Sequence, residues 1–222
     1  EGNKPMSGYY NSGAYTVAAA SLTRFLSNAT GATWTLTETT TGDTLAHLVT
    51  IKGDAVTDHS AKTALITGTD ANGLALTETV NLPNGTATVT STKHFLTVTS
   101  VAPSATIGAD TMDIGIAAAA RSPWVGLDAL APMDYTFNAA VTMSGTLDYD
   151  FLGTIDSTPD GSSNVYVVSN QTASKLLSVA LGSAAPVLTA PLTAICVDVN
   201  SHTSGVFTFE VVSRGRRPCT TV

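Results

Sequence analysis

The chain has 222 residues, of which 37 are Thr and 20 are Ser, while only 12% are charged and 43% are hydrophobic. That balance, with a mean hydropathy of +0.20, excludes a chain too polar to bury a core. A net charge of −7 excludes a general nucleic-acid binder, which needs a basic stripe to neutralise phosphate.

No apolar run reaches the roughly 18 to 20 residues that span a bilayer, and no charged-then-apolar leader opens the chain. A soluble protein without a membrane partner is expected. Cys196 and Cys219 are too few for a disulfide framework, so synthesis in a reducing compartment is the default. With few charges, the polar surface must be built from Thr and Ser, and β-branched Thr favours a pleated sheet over a helix.

Residues 1–30 contain Gly, Asn, Ser and three Tyr without a period of 2 or 3.6. They are expected as an extended arm with one short helical stretch around 17–25. Tyr9, Tyr10 and Tyr15 give the arm aromatic surface to pack on its own domain or on a neighbouring subunit.

From residue 33 the alternation is strong. Trp34 and Leu36 share one face of a predicted strand over 33–37, with threonines on the other. Further strands are predicted over 45–51, 63–69, 74–80, 86–90, 95–101 and 112–116. Between the third and fourth of these seven lies Asn72-Gly73, the strongest short hairpin signal, because both residues tolerate positive φ. About seven strands at this spacing predict a β-sandwich.

Arg121-Ser122-Pro123 reads as a boundary, because Pro123 and Pro132 interrupt the pattern and threonine thins out beyond them. The second half predicts strands over 135–143 and 146–155, the latter with Leu147, Tyr149 and Phe151 facing one way and Asp148 and Asp150 the other. A strand over 165–168 follows a loop, 171–181 fits a short helix or a distorted strand but reads best as loop plus one turn, and strands over 192–199 and 205–212 close a hairpin through the 200–205 loop. The fold expected is all-β: two tandem β-sandwich domains, immunoglobulin-like or jelly-roll-like, over 31–120 and 121–222, behind the 1–30 arm.

Nothing in the pattern points to catalysis. His47, His59, His94 and His202 are scattered singly and read as surface or strand histidines, and no Gly-x-Ser-x-Gly elbow activates a serine. Asp54 with Asp58, Asp110 with Asp113, Asp148 with Asp150, and Asp156 with Asp160 supply hard oxygen ligands, but none follows a calcium-loop spacing. No catalytic residue, metal or cofactor is expected. Sequons at Asn28, Asn84 and Asn170 occur about as often as chance predicts in so hydroxyl-rich a chain. Arg214, Arg216 and Arg217 form a basic end suited to docking on the acidic surface of an identical subunit.

Residues 64–80, with Thr67-Gly68-Thr69-Asp70 and Asn72-Gly73, continued by 91–101, resemble a pattern common in virion structural proteins of tailed bacteriophages. Residues 191–209, after Trp124-Val125-Gly126-Leu127-Asp128, are similar to the last hairpin of small phage β domains. Cys196 departs from that pattern, which commonly has Arg or a polar residue there.

The resemblance implies a non-enzymatic building block in many copies, located in the virion after synthesis in the bacterial cytoplasm. It implies a capsid decoration or cementing protein first, and a head-to-tail adaptor, collar or tail-fibre-attachment protein second. The partners implied are the major capsid protein or portal and tail proteins, together with copies of itself. Tyr9, Tyr10, Tyr15, Arg214, Arg216 and Arg217 are the candidate assembly contacts. A rival class is a host-glycan adhesion module, which needs an exposed aromatic platform from Trp34 or Trp124.

Overall fold

The computed structural model describes residues 9–127, 136–156, 166–171, 175–180 and 192–214. Every regular element among them is a strand, as a surface of β-branched threonine leads one to expect. In chain order these are β1 (Tyr9–Thr16), β2 (Ser21–Ala29), β3 (Ala46–Gly53), β4 (Thr63–Thr69), β5 (Ala75–Asn81), β6 (Thr88–Phe95) and β7 (Thr97–Pro103). The series continues with β8 (Met112–Arg121), β9 (Val125–Gly126), β10 (Thr136–Thr154), β11 (Tyr166–Gln171), β12 (Lys175–Ala180) and β13 (Ala194–Arg214). β5, β4 and β7 lie in that order in a three-stranded sheet. The others share a ten-stranded sheet with the path β11-β10-β13-β8-β3-β6, in which β1 and β9 also pair with β13, β12 with β10, and β2 with β8.

The first core forms where the alternating strands turn their apolar sides together. In β4, buried Ala64 and Ile66 alternate with Thr63, Leu65 and Thr67, and with Leu76, Val98 and Val101 they face Val49, Ile51, Ile114 and Ile116 of the larger sheet. This is a two-layer sandwich whose outer face on the three-stranded side is mostly Thr.

Two local expectations change. The stretch 17–25 is not helical: Ser21–Ala29 is strand β2, and its Phe25 is fully buried in the first core. The stretch 33–37 is not a strand. Trp34 is indeed buried there, but the backbone has no ladder partner and is held by bonds such as Thr37 N–H to the Phe25 carbonyl, 2.8 Å. Alternation reports which side chains face the core, and a ladder needs a free neighbouring edge as well.

The Asn72-Gly73 hairpin joins β4 to β5 as expected, with Thr69 opposite Ala75. Gly73 alone takes the left-handed conformation, at φ 81°. Asp70 Oδ1 organises the turn by accepting the N–H groups of Asn72 and Leu74, both at 2.9 Å. A Cβ at Gly73 would meet nothing within 4 Å, so only backbone strain opposes a side chain. Gly73→Val is therefore expected to cost about 1 kcal/mol in a denaturant titration, and unchanged stability would contradict the observed turn.

The second half rests on one long ribbon. β10 and β13 pair from Thr136 opposite Arg214 to Thr154 opposite Ala194, with register shifts at Thr146/Leu147 and Asp148/Tyr149. The predicted breaks near residue 145 and at 200–205 are therefore not chain reversals. Val141 lies opposite Phe209 and Phe151 opposite Val197, so a straight ribbon would hold these pairs about 33 Å apart at 3.3 Å per residue. Yet the Phe151 and Phe209 rings are 6.2 Å apart, centroid to centroid.

The ribbon must double back on itself. Its corner falls where Gly145, at φ 84°, pairs with Gly205, beside the register shifts that sharpen such bends. Leu147, Tyr149 and Phe151 share the inner face as predicted, and with Phe207, Phe209 and Val211 they form the second core. One further expectation fails here: within 171–181, Lys175–Ala180 is strand β12, paired with β10, instead of a loop and turn.

Candidate functional site

Of the candidate assembly contacts, Tyr9, Tyr10, Tyr15 and Arg214 lie on two strands, β1 and β13, that pair with each other. β1 lies antiparallel on β13 of its own chain, with Tyr9 opposite Ser213, Tyr10 opposite Val212 and Tyr15 opposite Phe207. The Tyr15 ring packs on Phe207 at 5.2 Å, tilted by 32°. Arg214 closes β13 opposite Thr136, so its backbone sits next to the Tyr9 end of β1. The side chains of Tyr9, Tyr10 and Arg214, and the whole of Arg216, Arg217 and Cys219, lie outside the described residues.

Three histidines are buried beside carboxylates: His47 and His94 lie on strands β3 and β6, in keeping with a strand position, whereas His59 lies in the loop between β3 and β4. His47 presents Nε2 to Asp43 at 2.8 Å and Nδ1 to the Ala117 carbonyl at 2.9 Å. Burial alone would raise the Asp43 carboxyl, but hydrogen bonds from His47 and from the Ala18 and Leu45 N–H groups outweigh it and hold the group below its usual range. Asp43 thereby ties the segment after β1 to β3. His59 is similarly fixed: Lys62 Nζ donates to Nδ1 at 3.1 Å, which leaves Nε2–H for Asp110 at 2.9 Å. These contacts brace loops at opposite ends of the β3–β8 pair.

The clustered aspartates are spent on local bonds. Asp54 pairs with Lys52 at 2.7 Å, Asp58 accepts the Ser60 N–H at 2.8 Å, and Asp150 accepts from Asn200 Nδ2 at 3.1 Å. Among the described residues, no three of His, Cys, Asp and Glu converge as metal ligands would.

A polar joint that no sequence spacing signals connects the halves. Asn72, read from sequence as a turn residue, uses its side-chain amide as a peptide bond would. Its Oδ1 accepts the Trp124 N–H at 2.9 Å and its Nδ2 donates to the Trp124 carbonyl at 3.4 Å. Nearby, Arg121 Nε donates to Asp198 Oδ1 at 2.8 Å, and His94 Nε2 stands 3.6 Å from the same oxygen. Cys196 is buried with Trp124, Leu152 and Ala194, where burial pushes its thiol far up and leaves it inert. The sequence holds no cue to this cluster beyond the residue types themselves.

The other feature is a surface. The outward side of the three-stranded sheet carries Thr63, Leu65 and Thr67 from β4, Thr77 and Thr79 from β5, and Ser100 from β7, paired across in register. Leu65, at its middle, is 44% exposed. The one charge on these three strands is Glu78, and it turns toward β6. There it accepts the Thr92 and Lys93 N–H groups at 2.8 and 2.9 Å and the Thr92 hydroxyl at 2.8 Å. A pleated, uncharged face of this kind loses little on desolvation compared with one bearing Lys or Glu.

No protein-family model and no curated protein matches the chain. Among solved structures, the chain is similar to the one described as "Crystal structure of the major capsid protein P2 from Bacteriophage PM2", with 96% of this chain and 100% of that chain covered. The TM-score is 0.22 and the identity 9%, a superposition too loose to fix fold or role.

Proposed function

We propose that the chain is a non-enzymatic structural protein of a tailed-bacteriophage virion, present in many copies, and that it decorates and cements the capsid surface. The observation that carries this reading is the coincidence of two features on the same strands. β4, β5 and β7 bear the phage-like sequence pattern, and their outward side is the uncharged face. Repeated subunits bind through buried area and matched surfaces instead of a concave polar site. A Thr-Ser face suits that use because its methyl groups gain from burial while its hydroxyls find partners across the contact. Partners of this kind are the major capsid protein and further copies of this chain.

A head-to-tail adaptor, collar or tail-fibre-attachment role uses the same surface chemistry and is separated by copy number. Hundreds of copies per particle mean decoration, whereas a small ring means a vertex component. The adhesion reading loses its main feature, because Trp34 and Trp124 are 7% and 6% exposed and make no platform.

The test is incorporation. Leu65→Glu and Thr79→Lys each place a charge on an exposed strand position, so folding stability is expected to stay within about 0.5 kcal/mol. Occupancy on particles, counted by cryo-electron microscopy, is expected to fall about ten-fold or more. Wild-type occupancy for both folded variants would remove the face from the proposal, and absence of the wild-type chain from purified particles would overturn the virion reading itself.

A further inference from the structure

The joint contains a cavity of about 10 Å³ lined by Asp70, Ala71, His94, Arg121 and Trp124. That is the room of a single water. Its walls come from the β4–β5 turn, β6, the end of β8 and the segment after it. Asp70 and His94 are only 3% and 9% exposed. Two of their atoms, Asp70 Oδ2 and His94 Nδ1, are buried without a hydrogen-bond partner among the described residues. Leaving two such groups unsatisfied is costly. Both belong to side chains that line the same small space.

The chemistry of the two atoms selects the occupant. A carboxylate oxygen only accepts, so the occupant must donate to Asp70. On the other side of the ring, His94 Nε2 faces Asp198, which favours the proton on Nε2 and leaves Nδ1 as an acceptor. The occupant therefore donates twice and is one water across. A metal ion is disfavoured because the Arg121 side chain forms part of the wall.

We propose that this cavity is a hydration site holding one water, which donates to Asp70 Oδ2 and His94 Nδ1, and that the water-bridged joint is an acid-sensitive latch holding the β4–β5 hairpin against β6 and the end of β8.

The groups facing His94 decide the direction. Burial first, then the Arg121 cation on β8, then His47 on β3 hold the imidazole well below its ordinary value of 6.5. Asp198 on β13 is shared with Arg121, Asp43 is engaged by His47, and Asp70 lies across the cavity. A protonated Nδ1 still finds the water, which turns to accept from it. What the proton adds is a second buried cation beside Arg121. Since the imidazole binds its proton more weakly in the closed joint than when released, the closed form is fully favoured above pH 6.5 and loses ground as pH falls below it.

The readout is hydrogen exchange of the Trp124 amide in the intact chain, corrected for intrinsic rates, because that N–H is held by Asn72 across the joint. Between pH 7.5 and 5.5 its protection is expected to fall by about ten-fold, the factor for one released imidazole titrating near 6.5. In His94→Gln the protection is expected to be flat over that range. Flat protection in the wild type, or an undiminished fall in His94→Gln, would overturn the latch. If the variant does not fold, the wild-type His94 imidazole resonances serve instead: a titration midpoint at or above 6.5 would overturn it equally. A high-resolution crystal structure at neutral pH is expected to show water within hydrogen-bond range of both atoms, and a dry cavity would overturn the hydration site.

Discussion

Phe151→Ala is expected to cost about 3 to 5 kcal/mol of unfolding free energy, a lowering of the thermal midpoint by about 10 °C for a chain of this size. Phe151 is fully buried. Its ring meets Tyr149 edge-on at 5.7 Å and Phe209 at 6.2 Å. The contact with Phe209 fastens one half of the β10–β13 ribbon over the other, so truncation opens a cavity at the seam as well as removing apolar area. A double-mutant cycle with Phe209→Ala isolates the fold-back. A coupling of about 0.5 to 1.5 kcal/mol is expected for two touching rings. Strict additivity would mean that the rings do not meet and the ribbon runs straight.

Gly115→Val is expected to be at least as damaging, about 3 kcal/mol or more, and close to abolishing the fold. Gly115 lies in β8, and a Cβ there would overlap the Ser21 carbonyl oxygen and the Leu22 backbone. β2 therefore crosses β8 at backbone contact, with Ser21 opposite Ile116 and Leu26 opposite Ile114. Neither side can yield by rotating a side chain. Lifting β2 would also withdraw Phe25, Leu26 and Ala29 from the first core. Gly115 does not take a left-handed φ, so space alone is at issue, in contrast to Gly73, where strain alone is. Even Gly115→Ala is expected to lower the thermal midpoint measurably, and a midpoint unchanged from wild type would show that the strands are not in contact.

The first sandwich was largely legible because each of its strands is half-buried, and half-burial writes itself into sequence as a period of two. Thr63–Thr69 and Ala75–Asn81 carry that period on both sides of Asn72-Gly73, and they pair as it implies. Where burial is two-sided the period fades. Near the joint, Phe151 and Val197 face the second core while Leu152 and Cys196 on the other face pack with Trp124.

Glycine signals were ambiguous for a related reason. Gly73, Gly145 and Gly205 all mark departures from regular strand, but a glycine reports what the backbone does locally and not whether the chain then reverses. At Gly73 it reverses, whereas at Gly145 and Gly205 two strands bend together and stay paired. The joint was the least legible part. Asp70, His94, Arg121 and Asp198 come from separate elements and have no common spacing.

Composition and periodicity alone determined that this is an all-β chain with threonine outward, an apolar core inward and a tight turn at Asn72-Gly73. These depend on neighbours a few residues away and on which face meets water. The tertiary structure alone decided that β2 crosses β8, that the long ribbon folds over on Phe151 and Phe209, and that Asp70 and His94 share one small cavity. Each of these is a contact between residues far apart in the chain, set by how sheets twist and stack, and no local pattern encodes which distant partner a buried side chain will find.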